Sequence, residues 1–322
     1  MQRLMRLRRT QQLRDLCDEV EFTTSQLIQP LFVAEGLRGQ TAIPGLTGNH
    51  RMDIDSAVRQ MGSDIESGVR HFILFPVPGA KGRKKFDHDF TTRTIAAMRA
   101  AHGRAFTLWV DTCLCSYTEH GHCCVFGDDQ EIDLTATLDE LSRSAVAFAQ
   151  AGADGVSPSD MMDGRTAHIR AALDGAGFPT IPVMSYSTKF ASSFYGPFRG
   201  AADSTPQFGD RKAYQIDPRN RTDALRSSVR CAEEGADLLM VKPGMTSIDL
   251  IAPIRDLTGL AVGAYQVSGE YAGLALLAEN GLADFDRALL ETWQVFRRAG
   301  AQYVITYGAR RAASMGVKVH AA

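Results

Sequence analysis

Apolar residues in this chain collect into eight short, nearly unbroken runs: Leu27–Val33, His71–Val77, Phe106–Thr112, Gly155–Ser159, Ile181–Ser187, Leu238–Lys242, Val262–Val267 and Tyr303–Tyr307. Short runs without polar alternation are the pattern of strands covered on both faces. Helical spacing fills the stretches between them, at Ile54–Gly68, Leu134–Gly152, Arg165–Gly175, Thr222–Gly235, Ser247–Leu257 and Phe285–Gly300. Asp53 and Asp55 stand where the first of these helices needs a cap. AGADGV, EGADLL and AGAQYV repeat one device, in which a helix stops at a glycine and a buried strand starts a few residues later.

Strands alternating with helices imply a parallel sheet. Eight such units predict an α/β fold, a (β/α)8 TIM barrel, with an open doubly wound sheet as the alternative. A chain of 322 residues has room for one barrel and an extension. Residues 26–322 are assigned to the barrel. Residues 1–25 have no place in it and form a candidate oligomerisation arm. Two connections are unusually long, Cys113–Asp133 and Thr188–Asp217. In a barrel both emerge on the C-terminal face, where catalysis sits, and long loops there are expected to act as lids.

Charge changes the picture little. The net charge is −2, so neither a nucleic-acid nor a membrane surface is expected. No apolar run approaches the ~20 residues of a membrane span. The start, MQRLMRLRRTQQLRDL, is basic but has no continuous apolar region, and Asp15, Asp18 and Glu19 follow too soon for an import signal. A cytoplasmic, reducing setting is expected. In that setting the cysteines Cys113, Cys115, Cys123 and Cys124, close together in sequence, point to metal or redox chemistry rather than disulfides.

Two residues stand out at strand ends. Lys189 lies in IPVMSYSTKF and Lys242 in DLLMVKPG, and only seven of the 35 basic residues are lysines at all. Burial at a strand end, and a second cation nearby, both lower an amine's pKa. An amine neutral at pH 7 can attack a ketone to form an iminium. A single lysine so placed would more often pair with a carboxylate or reach out to solvent. Two at the mouth of one barrel favour chemistry.

The segment DTCLCSYTEHGHCC runs from Asp111 to Cys124. Cys113 and Cys115 are two apart, so in an extended chain they face one way. Cys123 returns after a loop containing Gly121. Three thiolates that converge select zinc over harder cations. Three protein ligands leave a fourth position open for chemistry, whereas His120, His122 or Cys124 as fourth ligand would close the site and make it structural. The C-x-C spacing differs from the C-x-x-C of redox motifs. Tyr195, Arg199, Arg211 and Gln215 share the long loop after Lys189, and two arginines on a lid suit carboxylate recognition. Asp111, Ser159, Asp160, Ser268, Glu270 and Tyr307 stand at or just after other strand ends. Each alone is equally suited to capping or packing. No phosphate-loop or dinucleotide signature is present.

DTCLCSYTEHGHC, SPSDMMDGR, MSYSTKFASSFYGPFR, GDRKAYQ, LMVKPG and YQVSGEY together resemble the porphobilinogen synthase (5-aminolevulinate dehydratase) family. PLFV and its surroundings look similar too, so the resemblance spans nearly the whole chain. It implies a (β/α)8 barrel with an N-terminal arm, a lyase that condenses two 5-aminolevulinate molecules to porphobilinogen in tetrapyrrole (haem) biosynthesis, and a homo-oligomer, usually an octamer. By position Lys189 and Lys242 match the two Schiff-base lysines, Lys189 for the acetyl side of the product and Lys242 for the propionyl side. Arg199, Arg211 and Gln215 match the acetyl-side carboxylate site, Ser268 and Tyr307 the propionyl-side one. Tyr195 and Phe198, inside the quoted loop motif, match substrate-site residues. Cys113, Cys115 and Cys123 match the zinc ligands of the cysteine-rich subgroup, with Asp111 and Ser159 beside them. Many bacterial relatives hold an allosteric magnesium through a glutamate where this chain has Ser227, with Arg230 one turn on. That speaks against an allosteric magnesium here. Two other readings remain: a class I aldolase-type barrel enzyme, and a zinc-bearing scaffold with an inactive barrel.

Overall fold

The computed structural model describes residues 3–319. Residues 1–2 of the expected arm and 320–322 of the expected barrel lie outside the described residues. The barrel strands are β1 Leu27–Ala34, β2 His71–Val77, β3 Thr107–Thr112, β4 Gly155–Pro158, β5 Met184–Lys189, β6 Leu238–Lys242, β7 Ala261–Tyr265 and β8 Tyr303–Ile305. They pair in parallel in the order β4-β3-β2-β1-β8-β7-β6-β5. A bridge between Val156 and Val183 joins the two ends of that path, so the sheet nearly closes. This is the (β/α)8 barrel that the strand–helix alternation predicts.

Seven helices connect consecutive strands: α1 Ile54–Glu66, α2 Asp89–His102, α3 Leu134–Gln150, α4 Arg165–Gly175, α5 Arg221–Glu233, α6 Ile248–Thr258 and, after an additional α7 Ser268–Glu279, α8 Phe285–Arg298. Asp53 caps α1, its carboxylate accepting from Ser56 N at 2.8 Å. Gly152, Gly235 and Gly300 follow α3, α5 and α8 with φ of 105°, 92° and 101°, a conformation that costs glycine nothing.

Both faces of the strands are covered, which is why the apolar runs do not alternate. On the outside, Phe72, Leu74, Leu108 and Val110 pack with Met61, Ile95 and Met98 of α1 and α2. Elsewhere in the core Phe32, Phe75, Tyr186, Tyr265 and Tyr307 belong to one cluster, and Phe32 stacks on Phe75 with centroids 5.3 Å apart.

Several elements depart from the sequence reading. The fifth strand runs Met184–Lys189 rather than Ile181–Ser187, because the polar stretch SYSTK finds hydrogen-bonding partners along β6 and α5. The helices α2 and α7 were not anticipated: α2 is rich in threonine, and α7 is apolar nearly all round, so neither shows a single stripe. Short strands Gln40–Ala42 and His50–Met52 extend the sheet beside β1, and Val125–Phe126 pairs with Ile132–Asp133 inside the long β3 loop. Among the described residues no helix is long and apolar enough to cross a membrane.

Candidate active site

Lys189 and Lys242 are the last residues of β5 and β6, and they are direct register partners. Neighbours in register on parallel strands project to the same face. Both side chains are buried, each only 4% exposed. Lys242 Nζ sits among four rings, 4.3 Å from the Tyr265 centroid, 4.8 Å from Phe198, 4.9 Å from Tyr186 and 5.4 Å from Tyr195. Ring faces attract an ammonium. Burial and the Lys189 charge outweigh that attraction and bring the Lys242 amine down to about 7. Lys189 Nζ donates to the Ser159 carbonyl and lies 5.9 Å from the Tyr186 ring. Burial lifts the Asp111 carboxyl to about 6, against the pull of Ser159 and the two lysines. Its Oδ1 has no hydrogen-bond partner among the described residues. Asp111 and Lys242 thus both titrate near neutrality, the range a general acid or base needs.

The long loop after β5 folds over this mouth through a turn at Ser193–Tyr195 and a short helix, Gly196–Ala201. The Tyr195 hydroxyl donates to Phe190 O at 2.8 Å and to Lys242 O at 3.3 Å, fastening the loop to the end of β6. Ser268 Oγ accepts from Phe198 N at 3.0 Å and donates to Phe194 O at 3.3 Å. A side chain at residue 269 would not fit: a Cβ on Gly269 would lie 2.7 Å from Phe194 O. The Tyr307 and Tyr265 hydroxyls are 2.9 Å apart, which puts Tyr307 one ring away from Lys242. Ser268 and Tyr307 therefore belong to the Lys242 half of the mouth.

Arg199, Arg211 and Gln215 belong to the other half. Arg211 is 5% exposed and donates to Gly121 O at 2.7 Å and Ser204 O at 2.5 Å. Burial works against its charge, but the Cys123 and Cys115 sulfurs raise its pKa regardless. Burial and Arg211 lower that of Arg199. Among the described residues, Arg199 Nε, Arg211 Nε and Gln215 Nε2 are all buried without a partner. Leaving donors of this kind unpaired is costly, and a carboxylate is the group that would satisfy them.

Cys113, Cys115 and Cys123 converge, with all three sulfurs within 4.8 Å of one another, and all are buried. Hydrogen bonds with Cys113 and Cys115 lower the Cys123 thiol, while those with Cys115 and Cys123, and burial, raise Cys113. Arg211 also draws the Cys123 thiol down, and three converging sulfurs suit a soft cation. The three alternative ligands point elsewhere. His122 uses both ring nitrogens, with Tyr214 Oη at 3.0 Å and Phe208 O at 2.9 Å. His120 Nδ1 accepts from His122 N at 3.1 Å. Cys124 packs with Leu138 and Met162, its thiol pushed up to about 12 by burial and by Cys123.

Two residues at the mouth were not singled out from sequence. Tyr186 and Tyr265 form half of the ring cage around Lys242, and the buried Tyr186 hydroxyl has no partner among the described residues. An aromatic residue inside a strand reads as core, and only the close approach of the amine marks these two.

A family model for delta-aminolevulinic acid dehydratase matches residues 1–315. The chain belongs to the delta-aminolevulinic acid dehydratase family. It is 41% identical over 312 residues to the Bacillus subtilis enzyme of that name, covering 96% of each chain. To the one from Synechococcus elongatus it is 42% identical over 318 residues, again covering 96% of both. Its fold superposes with a TM-score of 0.93 on delta-aminolevulinic acid dehydratase (porphobilinogen synthase) from Toxoplasma gondii, solved with the reaction product porphobilinogen. There the identity is 39%, with 98% of this chain and 91% of that one covered. Membership of this family makes the chain an enzyme, a lyase.

Proposed function

We propose that this enzyme condenses two molecules of 5-aminolevulinate to porphobilinogen with loss of two waters, through Schiff bases on Lys189 and Lys242. The observation behind the reading is the register pairing of two buried lysines, one of them brought down to about 7, facing a single mouth. Each amine adds to a substrate ketone and expels water, giving an iminium that acidifies the adjacent carbon. Lys189 holds the acetyl-side substrate, whose carboxylate meets the open donors of Arg199, Arg211 and Gln215. Lys242 holds the propionyl-side substrate inside the ring cage of Tyr186, Tyr195, Phe198 and Tyr265, with Ser268 and Tyr307 for its carboxylate. Asp111 is the nearby group able to accept and return protons, with Ser159 at its side. Fixing both substrates in register replaces an improbable bimolecular encounter.

Cys113, Cys115 and Cys123 would hold zinc, and their chemistry fits it. When bound, zinc would supply Lewis acidity that orients or activates an amine or water. Ser227 donates to Ser187 O at 2.7 Å, and Arg230 pairs with Asp163 and Glu234, which supports the reading against an allosteric magnesium here. Residues 1–25 serve assembly into a homo-oligomer, in keeping with the exposure of Leu4, Met5, Leu7 and Leu16. Light scattering with and without the arm tests that. The assay that separates this activity from an aldolase or an inactive barrel is pyrrole formation from 5-aminolevulinate alone. Pyrrole product supports the proposal, and its absence at saturating zinc contradicts it.

A further inference from the structure

The pairing of Lys189 with Lys242 depends on an irregularity in β5. Leu239 of β6 stands opposite Ser185, but Val241 stands opposite Thr188, so Tyr186 and Ser187 together face Met240. Side chains along a regular strand alternate between faces. Tyr186 and Lys189 are three apart and would face opposite ways. Here both approach the Lys242 amine's surroundings from inside the barrel: the Tyr186 ring is 4.9 Å from Lys242 Nζ and 5.9 Å from Lys189 Nζ. Ser187 and Thr188 both turn outward instead, each bonded to Ser228 Oγ on α5, at 3.0 and 2.9 Å. A bulge re-aims the residues beyond it. Without this one, Thr188 would face the mouth and Lys189 would face the helices.

Two side chains hold the carbonyls of the bulged residues. Tyr186 O accepts from Arg165 Nη2 at 3.0 Å, and Ser187 O accepts from Ser227 Oγ at 2.7 Å. Arg165, the first residue of α4, is completely buried. Its Nη1 donates to Met162 O at 3.0 Å, and its Nε lies 3.7 Å from Asp160 Oδ2. The loop it grips there also contains Ser159, whose carbonyl accepts from Lys189 Nζ. One guanidinium therefore fixes both the backbone that aims Lys189 and the segment its amine contacts. Burying an arginine so completely is costly, and an apolar side chain would fill the space at less expense. The geometry it imposes on the mouth accounts for its presence.

We infer that Arg165 and Ser227 are positioning residues that hold the β5 bulge and thereby aim Lys189, and not Lys242, into the active site. The inference rests on the two-lysine reading above. Its test uses the full-length enzyme with 5-aminolevulinate, borohydride trapping and peptide mass spectrometry, which reads the adduct at each lysine separately. The variant pairs Arg165→Met with Asp160→Asn, so that no buried charge is left alone. Trapping at Lys189 should fall at least about tenfold while trapping at Lys242 stays within about twofold, since small misplacements of a reacting group cost that much or more. Loss of packing alone would lower both together. If the double variant does not fold, Ser227→Ala decides, with a drop of about threefold at Lys189 and none at Lys242, as for one neutral hydrogen bond. Equal retention at both lysines, or equal loss at both, overturns the inference. Wild-type enzyme that traps at neither lysine sinks the two-lysine reading itself, and the positioning role with it.

Discussion

The two halves of the mouth are built from opposite materials. Around Lys242 the wall is aromatic, and the amine is stripped of water among Tyr186, Tyr195, Phe198 and Tyr265. Around Arg199, Arg211 and Gln215 it is polar, with buried donors waiting for an acceptor and three thiols behind them. An apolar cage makes an amine nucleophilic by disfavouring its charge. A cluster of unsatisfied donors does the reverse and attracts an anion. In the proposed reaction two copies of a single substrate take different roles, and such a contrast would let the walls tell the copies apart.

The strongest way to break the contrast is to remove an amine. Lys189→Ala and Lys242→Ala should each lower pyrrole formation by more than about a thousandfold, as loss of a covalent group does, with the fold intact by circular dichroism. Near-normal turnover in either would end the two-lysine account.

If the three cysteines hold zinc as proposed, chelation should give the next largest effect. Chelation should cost about a hundredfold or more in rate, the scale of Lewis-acid assistance, while the melting temperature barely moves, since a core this large does not depend on a metal. A melting temperature that falls in step with activity through one chelator titration would make the site structural instead.

Arg211→Ala should lower kcat/KM about ten- to a hundredfold, the worth of hydrogen bonds to a charged group, mainly through a higher KM. Steady-state kinetics would show it. An unchanged KM would mean that the open donors of Arg199, Arg211 and Gln215 do not meet a substrate carboxylate.

The pH dependence sharpens the aromatic half. Lys242 titrates near 7 in the fold but at 10.5 when unfolded. Between those values the unfolded chain binds the extra proton, so this group's penalty is full below pH 7 and is relieved as pH rises toward 10.5. Lys242→Met should therefore raise the melting temperature by several degrees at pH 6, for a gain on the order of a few kcal/mol, and by much less at pH 10. An equal shift at both pH values would mean that the amine's charge is not what burial opposes. The smallest effect concerns magnesium: with zinc saturating, adding it should leave activity within about twofold, the change of a weak exposed ion pair. A larger rise would mean that acidic groups near Arg230 bind it.

Much of this arrangement is legible in the sequence. The eight apolar runs marked the strands because burial on both faces removes alternation, and two lysines at strand ends marked the mouth. The C-x-C pair and the returning Cys123 predicted convergence, although Cys113 and Cys115 lie just past β3 at the start of a turn rather than in an extended chain. Other features left no local trace. The helix α7 was hidden because Tyr271, Ala272, Leu274 and Ala275 are buried and Leu276 and Leu277 add apolar residues on the exposed side, so no stripe forms. The end of β5 was missed because its polar residues are satisfied by β6 and α5, which lie far along the chain. Arg165 looked like any helix-starting arginine, and its burial against Tyr186 O is a tertiary fact.

The central claim is that both lysines form Schiff bases in one active site. Its most direct test is borohydride reduction of the wild-type enzyme at saturating 5-aminolevulinate, followed by peptide mass spectrometry. The account predicts substrate-derived mass on the peptide containing Lys189 and on the peptide containing Lys242, and on no other lysine. An adduct confined to one of them, or found at neither, would contradict it.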